Sequence, residues 1–452
     1  MEANKNIKTL LGDPKKAIRK LALPTILSML LIMVNNLTDA IFVAGLGGDA
    51  IAGLGFITPL FLVIIGIGNA IGAGASSYIA RALGERNKMK VNDAATHSIV
   101  IGIIVSAILT VVLLLAWKPI LGLMGAGSAT SPALRYGNVI FLGTIVFVLA
   151  GVLSSILRSE GDVKRATVVL ALTAVINMVL DPILIYVVGW GIEGAAIATV
   201  LADVIAILPM MYWFYVKKDT FIRPSFKGFG FSKKITRGII NVAIPSSAET
   251  VILSCLTIGI NTILASVGGV DSVACYTSGM RVVSFMLVPL IGLSTALLTV
   301  AGAAYGERNG PKFKAAFKYA LKRGIIISVI LGALLCVFSN QIALLFSYAP
   351  STAYLTDDIS LVLFVFGIII FFKPFGFIGN TIFQSVGKGT VSLLLTFVRG
   401  FLLEIVFTYM FAIIFGWGIV GAYIGIGCGN LISAAVTYIV SNYYVGKVNR
   451  LY

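Results

Sequence analysis

Residues 405–446 run for 42 positions without one charged side chain. A helix needs only about 20 apolar residues to cross a hydrocarbon core of ~30 Å. A run of this length therefore predicts two crossings, folded back at the turn FGWGIVG, residues 415–421. Further charge-free runs lie at 50–80, 98–117, 136–157, 250–270 and 282–306. Backbone that faces lipid must satisfy its own hydrogen bonds, so these runs are expected to be helices. The chain is 58% hydrophobic and only 12% charged, a balance that excludes a water-soluble domain.

The formal charge of +16 would suggest nucleic acid in a soluble protein. Here the positions of the charges give a different explanation. Counting twelve spans, 29 of the 34 Lys and Arg residues fall in the two terminal segments and in alternate interhelical loops, while the opposite-side loops hold only Lys118 and Arg135. This is the positive-inside pattern, and it predicts that both termini are cytoplasmic. Arg281, Lys373 and Arg399 remain, and all three fall within spans. No nucleic-acid partner is expected. Cys255, Cys275, Cys336 and Cys428 have no paired spacing and read as small apolar residues, neither disulfides nor zinc ligands. The first span is too long for a cleaved leader and lacks a small-residue cleavage site.

The sequence repeats at half its length. LALPTIL (21–27) recurs as VAIPSSA (242–248), GERN (84–87) as GERN (306–309), LRSEGD (157–162) more weakly as FQSVGKG (383–389), and GWGIEGAAI (189–197) as GWGIVGAYI (416–424). Four matches in one order indicate duplication. Six spans per copy is an even number, so both copies enter the membrane in the same orientation. The expected fold is all-α and integral to the membrane: twelve helices in two pseudo-symmetric six-helix bundles, a parallel repeat about an axis along the membrane normal, with a cleft between them. The expected division is 1–216, a basic cytoplasmic linker at 217–237, and 238–452. The linker's Pro and Gly break helix and its charge keeps it at the membrane surface.

Against this apolar background, MVNNLTDAIFV (33–43) places Asp39 deep in the first span. At 1.5 Å per residue Asp39 lies ~28 Å along the helix from Lys20, and Asp181 lies ~24 Å along the fifth span from Arg165. The two carboxylates thus fall at a similar depth in the first bundle. Asn35 and Asn36 share the helical face of Asp39, Asn177 that of Asp181, and Thr199 that of Asp203. Pro182 removes a helical hydrogen bond beside Asp181, and Pro24 gives the first span a place to bend. Lone Asn or Thr residues commonly glue helices together. Paired intramembrane acids are costly, and this favours a functional role for Asp39, Asp181, Asn177 and Thr199 as an oxygen-rich site for H+ or Na+. Asp203 fits a structural or a functional role equally well. The second copy has Ile260 and Thr408 where the acids would stand. It carries Glu249, which either meets a cationic substrate or pairs with Arg281 or Lys373, and Glu404, which pairs internally with Arg399. The only histidine, His97, reads as solvated at a helix start. SVGKGT (385–390) lacks the glycine of a phosphate loop and reads as a turn.

The doubled six-helix layout, N-L-T-D in the first span, L-R-S-E-G-D and N-M-V-L-D-P resemble the multidrug and toxic compound extrusion (MATE) family over essentially the whole chain. They resemble most the archaeal and DNA-damage-inducible-type branch. The resemblance implies that Asp39, Asn177, Asp181 and Thr199 fall on that branch's cation or proton site. Asn36 and Tyr136 then match polar neighbours, and Ser154 is the polar remnant of an asparagine-bearing stretch. The expectation is a secondary-active exporter, not an enzyme, that works by alternating access with hinges at Pro24 and Pro182. It would move small amphipathic, often cationic organic compounds out across the plasma membrane as a monomer, using H+ or Na+ and no cofactor. A lipid-linked precursor flippase of the same superfamily is the alternative, with Arg281, Lys373 and Arg399 as its only basic candidates.

Overall fold

The computed structural model describes residues 5–123, 127–347 and 353–452. Among these there is no strand, and the helices give up to twelve membrane spans. Six belong to the first copy: α1 (Pro14–Val43), α2 (Gly48–Gly84), α3 (Lys88–Leu123), α4 (Gly127–Leu142 and Thr144–Ser159, bent by 47°), α5 (Val163–Val187) and α6 (Gly191–Lys217). Six belong to the second: α7 (Lys233–Gly269), α8 (Asp271–Gly306), α9 (Gly310–Val337), α10 (Ala353–Ile370), α11 (Gly389–Ile414) and α12 (Gly418–Leu451). A helix at Lys373–Ser385 follows α10 after a two-residue break. By packing, one unit comprises Met1–Gly12 and Leu27–Ile244, and the other Asp13–Ile26 and Pro245–Tyr452. The chain passes from unit to unit within α1, two residues after Pro24, and within α7, at Pro245.

The duplication is written into the backbone as well as the sequence. Arg86 and Arg308, the arginines of the two GERN turns, both adopt the left-handed conformation, with φ of 55° and 53°. Each following asparagine then caps a helix: Asn87 accepts from the Lys90 N–H and Asn309 from the Lys312 N–H, both at 3.0 Å. Lys90–Glu85 and Lys312–Glu307 pair at 2.7 Å. Gly161 and Gly387 share φ of 83°. The helices before the two GWG turns both end in π-helical segments, Ile183–Val187 and Met410–Ile414.

Within the first unit, α2 packs closely on α4 through small residues, with Gly68 against Val148 and Gly72 against Ser155. In the second unit, Gly421, Gly425 and Gly429 recur every four residues along α12 and lie directly on the α11 backbone. This is the small-residue seam by which membrane helices approach closely.

The linker is pinned to the first unit by side chains from the helices it crosses. Its Ile222 N–H donates to the Glu160 carboxylate (2.8 Å), Arg223 N–H to Asn92 (2.9 Å), Ser225 N–H to Thr96 (3.0 Å) and Ser232 N–H to His97 Nε2 (2.8 Å). His97 is therefore not solvated. It is 2% exposed, stacked near Phe229 and Phe231, with Nδ1 2.7 Å from the Asp93 carbonyl. That pairing requires the proton on Nδ1 and leaves Nε2 as acceptor. Sequence position alone did not reveal the linker folding back over the helix start.

Burial pushes the Glu160 carboxyl up to about 8, from an ordinary 4.5, against the opposing pull of the Ile222 N–H. An acid held protonated longer in the folded than in the unfolded chain costs stability progressively as pH rises through that interval. Glu160→Gln keeps an acceptor for Ile222 and removes the penalty. We expect it to be more heat-stable than the parent at pH 8.5, by an amount on the order of 3–5 kcal/mol. The gain should vanish toward pH 4.5. Thermal scans of both proteins across this range check the sign.

Candidate functional site

The first unit gathers a polar cluster from α1, α4, α5 and α6. Its core is on α5, where Asn177 and Asp181 stand one turn apart, 2% and 0% exposed. The Asn177 amide donates to Asp181 Oδ1 (3.1 Å) and reaches Thr199 Oγ1 on α6 (3.5 Å). The Thr199 hydroxyl is itself spent on the Ala195 carbonyl (3.0 Å). Tyr136, buried in the N-terminal half of α4, lies near Thr199 and within electrostatic range of both Asp39 and Asp181. Trp117 of α3 fixes that part of α4: fully buried, it donates to the Ala133 carbonyl (3.2 Å) and meets Phe141 edge-on.

Asp39, half-buried on α1, is close enough to Asp181 for the two charges to interact. The hydrogen-bond inventory around them is one-sided. Asn35 Oδ1, Asp39 Oδ1 and Asp181 Oδ2 are all buried, and none has a donor. Each such acceptor costs on the order of 1–3 kcal/mol. Three of them around two acids leave a local excess of acceptors, the deficit that a proton or a small hard cation would balance. Among the described residues no group of three or more His, Cys, Asp or Glu side chains is arranged to hold a metal.

Other candidates lie elsewhere. Asn36 is exposed, while Asn35, one residue earlier, is partly buried with its Oδ1 enclosed. Ser154 points to Met210 Sδ (3.8 Å) and not to the acids. Asp203, partly buried on α6, lies near Thr173, whose hydroxyl donates to the Val169 carbonyl (3.2 Å). Pro182 ends the α-helical part of α5, and the π-helical turn begins at the next residue. That turn presents Tyr186, whose hydroxyl donates to the Phe42 carbonyl (2.6 Å) and lies against Gly45. The end of α1 is thereby tied to the segment that follows Asp181. Sequence reasoning missed Tyr186; the signal was available as a tyrosine one turn past Asp181–Pro182 and a glycine shortly after Asp39.

In the second unit Glu249 accepts from Ser392 (2.6 Å) and Gln384 (3.2 Å) and feels the charge of Arg399. It pairs directly with neither Arg281, which is exposed, nor Lys373. Glu404 is buried near Lys373, Arg399 and Asn430, but among the described residues it does not form the expected ion pair with Arg399.

The family model for MatE matches the chain twice, over residues 24–183 and 245–410. The FAD transporter of Shewanella oneidensis is 26% identical over 340 residues, covering 74% of this chain and 75% of that protein. The multidrug export protein MepA of Staphylococcus saprophyticus is 25% identical over 397 residues, covering 85% of this chain and 84% of that one. Among solved structures, the outward-facing conformation of a multidrug resistance MATE family transporter of the MOP superfamily has a TM-score of 0.95 at 35% identity, with 100% of each chain covered. The family's members are transporters and not enzymes. Two matches to one family model, one in each copy of the internal repeat, on a multi-pass helical scaffold that agrees with a MATE structure along its whole length, make this chain a member of the MATE family of transporters.

Proposed function

We propose that the protein is a secondary-active exporter of small amphipathic, often cationic organic compounds, driven by H+ or Na+ taken up at Asp39 and Asp181. The observation that carries this reading is the excess of acceptors in the first unit: two interacting carboxylates and the Asn35 carbonyl, with three buried oxygens lacking donors. The relationship to a multidrug export protein supports the substrate class.

The proposed cycle needs the ion and the substrate to favour different states, since a ligand shifts an equilibrium only by its differential affinity. With the pair ionised, repulsion between Asp39 and Asp181 and the unfilled oxygens keep the cluster open. Binding the ion cancels the repulsion and draws the α1 oxygens toward α5. Tyr186, held on the Phe42 carbonyl, passes this movement to the end of α1, and Pro24, inside α1, gives it a place to bend. Substrate and ion thus compete for one set of α1 positions. We assign both termini to the cytoplasmic side of the plasma membrane from the distribution of Lys and Arg, and take the working unit as a monomer.

The test uses proteoliposomes in which pH and sodium gradients are imposed separately while efflux of a fluorescent organic cation is followed. One gradient alone is expected to drive accumulation against concentration. Equal flux with neither gradient imposed would remove the coupling from the proposal.

A further inference from the structure

The second unit holds a cluster with the opposite deficiency. Lys373 opens the helix that follows α10, and its Nζ donates to Asn430 Oδ1 at 2.7 Å, leaving two N–H bonds unused. Arg399 lies on a π-helical segment, Phe397–Leu403, inside α11. Such segments re-aim side chains and are frequent at functional sites. Its guanidinium makes no hydrogen bond and no ion pair within 4 Å among the described residues, so five N–H donors are uncommitted. The neighbouring acids do not use these donors. Both Glu249 oxygens are taken by Ser392 and Gln384, and Glu404 makes no ion pair with Arg399 or Lys373 among the described residues. The guanidinium also has a built seat. It lies against Gly376, where any Cβ would occupy the position of Nη1.

Both side chains are half-buried, not sealed in, so their spare donors stay within reach of a ligand. The acids balance the formal charge, but they do not balance the hydrogen bonds. Arg offers a planar fork that matches a carboxylate or phosphate in two places at once, and Lys adds a point charge beside it.

We propose that Arg399 and Lys373 form an acceptor site for an acidic group, carboxylate or phosphate, carried by an amphipathic ligand. Arg399 holds the anion through two parallel N–H bonds, Lys373 provides a third contact while anchored on Asn430, and Glu249 and Glu404 restrict entry to a single acid by their own charge. This deepens the exporter reading, on which it rests for treating the ligand as cargo: the transported compounds then include zwitterions and acids. The acid can belong to a soluble organic molecule or to a lipid headgroup.

The experiment is an equilibrium one and uses no gradient, so it stands or falls apart from ion coupling. The full chain in phosphatidylcholine nanodiscs is titrated with 1-pyrenebutyrate and with its uncharged analogue 1-pyrenebutanol, read by fluorescence anisotropy. The carboxylate is expected to bind roughly tenfold or more tightly, the scale of charge-assisted hydrogen bonds. Arg399→Gln and Lys373→Gln should each bring the ratio close to one while pyrenebutanol binding is kept, and Asp39→Asn should leave the ratio unchanged. Displacement of pyrenebutyrate by phosphatidylglycerol in the nanodisc supports a lipid headgroup as the natural source, and no displacement supports a soluble acid. Equal binding of the two probes by the parent protein overturns the proposal without recourse to any variant, as does selectivity that survives Arg399→Gln together with Lys373→Gln.

Discussion

Replacing Asp39 with Asn is expected to cut gradient-driven efflux by roughly 10- to 100-fold, the span of a coupling free energy of 1–3 kcal/mol. Asp181→Asn should do the same. Each keeps the size of the side chain and one acceptor oxygen and removes the charge that attracts the ion. The double variant should be no worse than either single one, because half of a shared site has no independent function. Asp203→Asn and Asn36→Ala provide the contrast. Neither Asp203 nor Asn36 contributes one of the buried oxygens that lack donors, so both variants should keep most of the flux. The measurement is initial efflux rate in proteoliposomes at matched protein density, with thermal stability recorded beside it. Full efflux by both single Asp variants would end the ion-site reading.

Gly425→Leu should be the most damaging change to the fold. A Cβ at this position would stand 2.5 Å from the Cα of Thr408, and one at Gly429 only 2.7 Å from the Cα of Glu404. Both obstacles are backbone, which cannot rotate aside as a side chain can. Forcing α12 away from α11 would lose packing along several turns, a loss on the order of 3 kcal/mol or more for a core seam. The expected result is little folded protein recovered in detergent, and a lowered melting temperature for what remains. Gly427→Leu, with nothing near its Cβ, should be tolerated in the same assay.

Much of the architecture was legible because charge in lipid is so costly that its absence marks every span. The turn at 415–421 is where Gly416 and Gly418 take positive φ, and the GERN turns repeat to within a few degrees. The bend in α4 was less visible, since Gly143 sits among apolar residues with no proline to announce it. The π-helical segments were invisible, because an inserted residue leaves hydropathy unchanged. Helical spacing brought Asn177 next to Asp181 without difficulty. It could not decide between Asn35 and Asn36, since a rotation of ~100° per residue carries one of two adjacent positions inward. His97 was misjudged because its environment comes from a linker more than 120 residues later in the chain. The spare donors of Lys373 and Arg399 depend on where each neighbouring carboxylate turns, which composition does not encode.

The matched turns of the two copies also record a history. A left-handed arginine followed by a capping asparagine, kept at the same place in both copies, is inherited geometry. A forebear of half this length, with an even number of crossings, could be joined head to tail with no need to invert either part. Once fused, each copy was freed from having to serve both roles. The first copy now holds buried acceptor oxygens around two acids and the second a pair of basic side chains, a difference that one gene for two identical subunits could not encode.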